Sequence, residues 1–137
     1  MGKVSRKFLT AAAIKAREKA CAPYSRFKVG AALLTKSGKI IPGANVESAS
    51  YGLTCCAERV ALFRALSSGE KKFTAIAVTA RLDGGAMPCG ACRQLLAEYA
   101  PDAVVWVSDC ARPREIKEYT VDELLPGAFR KFRGDLA

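Results

Sequence analysis

Apolar and polar positions follow two different periods along this chain. Residues 6–20 are Ala-rich, and Phe8, Leu9, Ala12, Ala13 and Ala16 recur at helical spacing. That pattern predicts an amphipathic helix closed off by Pro23. Residues 27–35 read as a strand, Lys36-Ser37-Gly38 as a turn, and 39–43 as the returning hairpin partner. Between 56 and 66, Ala57, Val60, Ala61, Leu62, Phe63, Ala65 and Leu66 make a helix apolar nearly all round. Such a helix is buried, or covered by a partner subunit. Residues 73–80 and 103–108 are almost continuously apolar, as strands covered on both faces are. A third helix is predicted over 89–99, stopped by Pro101, and a more polar edge strand over 114–119. Thr120 and Glu123 have the spacing of a capping box for a short terminal helix.

The order α-β-β-α-β-α-β-β-α places the chain in the α/β class. It predicts a mixed five-stranded sheet with helices on both faces, as one domain over residues 1–137. The gap before the last strand refines this. About six residues separate the last two strands, and a parallel crossover needs about a dozen or more. Those strands are therefore expected to pair antiparallel, with no helix between them.

Charge and cysteine content narrow the chemistry. The 137 residues carry a net charge of +9, concentrated towards the ends (Lys3 to Lys19, Arg130 to Arg133). A basic excess suits nucleic acid or is simply a solvated surface. Its sparseness among the interior motifs favours the surface. No apolar run approaches the roughly 20 residues of a membrane span. Met1-Gly2-Lys3-Val4-Ser5-Arg6 matches neither a secretion signal nor a myristoylation site, so a cytoplasmic location is expected. There are six cysteines and no histidine. This excludes His-dependent nucleophile schemes and points the thiols to metal binding or catalysis.

Two motifs stand out, Cys56-Ala57-Glu58 and Pro88-Cys89-Gly90-Ala91-Cys92. The i, i+3 spacing at a helix start puts Cys89 and Cys92 on one face, where two thiols can grip one metal. Cys56 would be a third ligand, leaving a fourth position for water, which is the catalytic arrangement of zinc. Cys55 raises a rival, a closed and inert four-thiolate site. Adjacent residues rarely aim both side chains at one metal, and that rival leaves Glu58 idle. Glu58 itself either complements a helix dipole or moves protons beside zinc-bound water. Cys21 and Cys110 are expected to be small buried hydrophobes.

These motifs match the zinc-deaminase pattern H-x-E with P-C-x-x-C in its three-Cys variant. The chain further resembles the small homotetrameric cytidine deaminases. The likeness includes Ala22-Pro23-Tyr24-Ser25, Phe27-Lys28-Val29-Gly30-Ala31-Ala32, Asn45-Val46-Glu47, Tyr51-Gly52-Leu53 and Leu124-Leu125-Pro126-Gly127-Ala128-Phe129. Cys56-Ala57-Glu58-Arg59 and Cys89-Gly90-Ala91-Cys92-Arg93-Gln94 complete it. Ser48, Cys55 and Met87 depart from the commonest family residues.

The resemblance implies a three-layer α/β/α sandwich and one Zn²⁺ per subunit on Cys56, Cys89 and Cys92. It implies Glu58 as proton shuttle and Arg59 as charge partner of the thiolates. Substrate contacts would come from Phe27, Asn45, Glu47, Tyr51 and Ala57, with Phe129 lent by a neighbouring subunit. The implied reaction is attack of zinc-bound hydroxide on a free pyrimidine nucleoside, in a homotetramer with shared sites. Independently, Asn45 and Glu47 point to the same side of an extended segment, and together can hydrogen-bond a sugar hydroxyl. Three rival readings are set aside. A nucleic-acid-editing deaminase resembles its relatives in having a helix before the last strand. A non-enzymatic zinc module binding nucleic acid gives Glu58 no role. Deamination of an antibiotic nucleoside is disfavoured by the intact ribose motifs.

Overall fold

The structure is a computed structural model that describes residues 4–130. The readings that rest on Met1, Gly2, Lys3 and the basic run to Arg133 lie outside the described residues. The apolar run Phe73–Ala80 forms β3, the middle strand of a five-stranded sheet. Val29–Thr35 (β1) and Ile40–Ala44 (β2) make the hairpin; Val104–Asp109 is β4 and Ile116–Thr120 is β5. Their order is β2-β1-β3-β4-β5. The β3–β4 pair is parallel, in register from Ala75 opposite Val104 to Ala80 opposite Asp109. The other three pairs are antiparallel, including β4 with β5, as the short connection between them requires.

Alternation along β1 separates two cores. Ala32 and Leu34 face one side with Ala75 and Ala77, and are covered by Leu9 and Ala13 of helix α1 (Arg6–Arg17). Ala31 and Leu33 face the other side with Ile76, Val78, Val105 and Val107. There they meet Ala57, Ala61, Leu62 and Ala65 of α2 (Ala57–Ser67) and Leu96 and Ala97 of α3 (Gly90–Tyr99). This is the three-layer α/β/α sandwich. The short α4 (Val121–Leu124) closes the described fold, with Thr120 and Glu123 in a reciprocal capping box.

Two glycines set how closely the helices approach the sheet. A Cβ on Gly30 would lie 2.0 Å from the Ala13 carbonyl oxygen and 2.6 Å from the Arg17 nitrogen. A Cβ on Gly43 would lie 2.6 Å from the Ala57 oxygen and 2.5 Å from the Ala61 nitrogen. Each pair is separated by four residues, the spacing of one helical hydrogen bond. Each glycine thus sits directly beneath such a bond, Gly30 under α1 and Gly43 under α2.

Several local expectations are corrected. The first helix ends at Arg17, not at residue 20, because three tightened bonds (Glu18 to Lys15, Lys19 to Ala16, Ala20 to Arg17) unwind it. Cys21 then pairs in extended form with Asn45 and Glu47, which leaves its side chain exposed instead of buried. Cys110 is half-buried. The inward stripe of α1 is Leu9, Ala13 and Ala16, and Phe8 faces solvent. The first strand begins at Val29, two residues later than expected, because residues 22–26 form a turn closed by Arg26 N–H to the Ala22 carbonyl. The helix over 57–67 is not wholly covered within one chain: Phe63 is exposed and Val60 half-buried.

Candidate active site

Helix starts build this site. Cys56 is the N-cap residue of α2 and Cys89 that of α3. Neither side chain makes a capping bond, so both thiols remain available. Cys92 lies one turn into α3 and is buried. The three sulfurs lie within 4.8 Å of one another, and Cys56 Sγ is 3.8 Å from Cys89 Sγ. A tetrahedron with Zn–S bonds of about 2.3 Å has an edge of about 3.8 Å. The donor set also fits: soft thiolates suit zinc, and both helix N-termini favour negative charge. Among the described residues this is the one cluster that could hold a metal, and Cys55 does not join it. The Cys55 backbone is instead bonded to Val46 on both sides, its N–H at 2.8 Å and its carbonyl at 3.0 Å.

Charge within the cluster is shared unevenly. Hydrogen bonding from Cys92, then from Cys89 and Arg59, brings the Cys56 thiol down to about 5 despite its burial. Its partner Cys92 is pushed up, first by that same hydrogen bond and then by burial. Arg59 supports the arrangement by donating from Nη2 to the Thr54 carbonyl at 3.0 Å and to Cys56 Sγ at 3.9 Å.

Glu58 occupies the first turn of α2 and is only 5% exposed. Burial, reinforced by the negative charge of Cys56, lifts its carboxyl to about 7. A group that titrates there can both take and give a proton near neutrality.

Beside the cluster lies an open depression of ≈ 250 Å³ lined by Tyr24, Ser25, Glu47, Ser48, Tyr51 and Thr54. Thr54 joins the two regions, because its carbonyl is the acceptor for Arg59. Glu47 Oε1 accepts from the Tyr24 and Ser25 amides, both at 3.0 Å, and Oε2 from the Ser25 hydroxyl. Those bonds, the hydroxyl's first, hold its carboxyl below the usual range. Tyr51, in a 3-10 turn, is 79% exposed. Asn45 is buried, and its amide is largely spent on backbone: Oδ1 accepts from Val29 N–H and Nδ2 donates to the Phe27 carbonyl, each at 2.8 Å. Phe27 is thereby tethered beside Asn45 and partly exposed. Ala57 is fully buried at the start of α2. Phe129 does not line the depression; the residue is 65% exposed, and its carbonyl accepts from Gln94 of α3.

The cluster, Glu58 and Arg59 thus come together as the two motifs suggest, with Glu47 and Tyr51 alongside. Sequence reasoning missed Thr54 and Arg93. Arg93 donates to the Pro88 carbonyl at 2.7 Å and the Leu124 carbonyl at 2.9 Å, fixing the start of α3. Its place directly after the Cys89–Cys92 pair was the available signal.

A family model for the cytidine and deoxycytidylate deaminase zinc-binding region matches residues 3–108. The chain belongs to this family. Its deaminase relatives include a cytidine deaminase of Halalkalibacterium halodurans, 55% identical over 127 residues, which span 92% of this chain and 95% of the relative. A cytidine deaminase of Sporosarcina psychrophila is 48% identical over 124 residues, 90% of each chain. The crystal structure of cytidine deaminase from Burkholderia pseudomallei superposes with a TM-score of 0.84 at 50% identity, covering 88% of this chain and 96% of that one. The deaminase fold agrees in its mixed sheet and flanking helices. No helix among the described residues is long and apolar enough to cross a membrane.

Proposed function

We propose that this chain, acting as one domain, hydrolyses free cytidine or deoxycytidine to the uridine counterpart and ammonia. The observation that carries the reading is the buried Glu58, placed beside three convergent thiols at two helix starts. Cys56, Cys89 and Cys92 would hold one Zn²⁺, which when bound supplies the Lewis acidity that lets water act as a nucleophile near neutral pH. Glu58 takes a proton from the attacking water and passes it to the ring nitrogen. Glu58 then takes the second proton from the added hydroxyl and delivers it to the amino group, which leaves as ammonia as the C–N bond breaks and the carbonyl forms. Arg59 and the two helix N-termini offset the charge of three thiolates. Glu47 and Asn45 bind the sugar, with Phe27, Tyr51 and Ala57 around the nucleoside. A fixed carboxylate at Glu47 repels phosphate, which favours free nucleosides over oligonucleotides.

The active form is read as a homotetramer in which Phe129 of one subunit stacks on the base bound by a neighbour. Exposed Tyr51 in the depression, Leu53, Phe63 on α2 and Phe129 support this, since large apolar side chains left exposed in one chain are what an interface covers. A cytoplasmic role in pyrimidine salvage follows from the substrate.

The test mixes purified protein with cytidine and follows the loss of cytosine absorbance, with and without a chelator. Glu58→Gln is expected to lose about 10²–10⁴ in rate and keep zinc. Unchanged turnover in that variant overturns the mechanism. Efficient deamination of an internal cytosine in an oligonucleotide overturns the substrate assignment. Light scattering decides the assembly, and a fully active monomer refutes it.

A further inference from the structure

The loop over residues 24–28 is organised by a side chain to which the reading above gives no task. The Ser25 hydroxyl accepts from the Phe27 amide at 2.9 Å and donates to Glu47 Oε2. Its polarity is fixed at both ends, because an amide N–H only donates and a carboxylate only accepts. One hydroxyl therefore joins the backbone under Phe27 to a carboxylate 22 residues away in sequence. Between Ser25 and Phe27, Arg26 holds a φ of 60°, the left-handed region in which a residue with a side chain is disfavoured. The contacts around the turn hold it there: two from Glu47 to the Tyr24 and Ser25 amides, and the Asn45 pair to Phe27 and Val29.

We propose that Ser25 is a positioning residue for sugar recognition, locking the Glu47 carboxylate and the Phe27 backbone into one geometry before a nucleoside arrives. The inference rests on the sugar-binding role given to Glu47 and on the place given to Phe27 beside the nucleoside. Without the hydroxyl, Oε2 of Glu47 loses its only donor among the described residues and the Phe27 amide loses its acceptor. The carboxylate, still held at Oε1 by the Tyr24 and Ser25 amides, then has Oε2 left for the substrate to order, and binding bears that cost. The chemistry at Glu58 is untouched.

The experiment compares wild type, Ser25→Ala and Ser25→Thr in cytidine kinetics and in amide hydrogen exchange across 24–29. Ser25→Ala should raise KM about ten-fold, the loss of one hydrogen bond to a charged group, with kcat changed less than about two-fold. Exchange at the Phe27 amide should speed up in Ser25→Ala, while Ser25→Thr, which keeps the hydroxyl, restores both readouts. Unchanged KM and exchange in Ser25→Ala overturn the proposal. So does a kcat loss as large as the KM rise, or equal damage in the Ala and Thr variants. Should wild type fail to deaminate cytidine, the functional reading falls by itself, and the exchange data still decide whether Ser25 holds the loop.

Discussion

Adding one methyl group at Gly43 should disable the site without touching any thiol or Glu58. The new Cβ would lie 2.5 Å from the Ala61 nitrogen, 2.6 Å from the Ala57 oxygen and 2.9 Å from the Ala61 Cβ, where ordinary contact begins at 3.4 Å. The nearest atoms belong to the α2 backbone and cannot rotate away, so α2 has to lift by about 0.9 Å or tilt. Overpacking of this kind costs about 1–3 kcal/mol, a fall in Tm of roughly 5–15 °C. The helix that moves begins with Cys56, Glu58 and Arg59. A misplacement of about 1 Å costs on the order of 10²-fold in rate. Gly30→Ala is the matched control. Its clash, at 2.0 Å, is worse, but it pushes α1, which carries no site residue. Both variants should melt early by circular dichroism. Well below both midpoints, Gly30→Ala should keep near-normal kcat while Gly43→Ala loses about two orders of magnitude. A folded Gly43→Ala with wild-type kcat, or a Gly30→Ala equally impaired, would refute the argument that α2 docking sets the site.

Cys92→Ser should lose most of its zinc, measured by atomic emission, and lower Tm, because the ion joins α2 to α3. In chelated protein, Glu58 is raised from 4.5 to about 7, chiefly by burial, so the folded state keeps a proton that the unfolded chain releases. Wild type should therefore lose stability relative to Glu58→Gln as pH rises from about 4.5 to about 7, by a few kcal/mol in urea melts; a gap independent of pH would refute the burial argument. Phe129→Ala should raise KM by roughly two- to twelve-fold, the worth of one aromatic stack, with zinc content unchanged.

Much of this architecture is legible in local pattern because the helices and strands bury regular stripes. The apolar runs at 73–80 and 103–108 become the central strands, and the six residues between β4 and β5 dictate their antiparallel pairing. The thiol cluster was legible too, since helical spacing alone puts Cys89 and Cys92 on one face. What stayed hidden depends on contacts distant in sequence. Nothing local says that α1 stops at Arg17, because Cys21, a few residues on, is claimed by pairing with Asn45 and Glu47. Nothing local says that the Asn45 amide bonds the Phe27 and Val29 backbone, or that a serine hydroxyl steadies Glu47. Polar side chains choose partners by three-dimensional placement, which periodicity does not encode.

The strand order leaves β2 and β5 as the two outer strands, and each is unsuited to growth of the sheet. Pro42 lies within β2 and has no N–H to offer, while its carbonyl is already taken by Arg64 at 2.7 Å. On β5, Lys117 and Glu118 put opposite charges on exposed positions, which discourages a neutral strand from docking alongside. Copies of this chain therefore have little means to join edge to edge into a continuous ribbon. Closed at both outer strands, the sheet offers no open-ended route to fibrils.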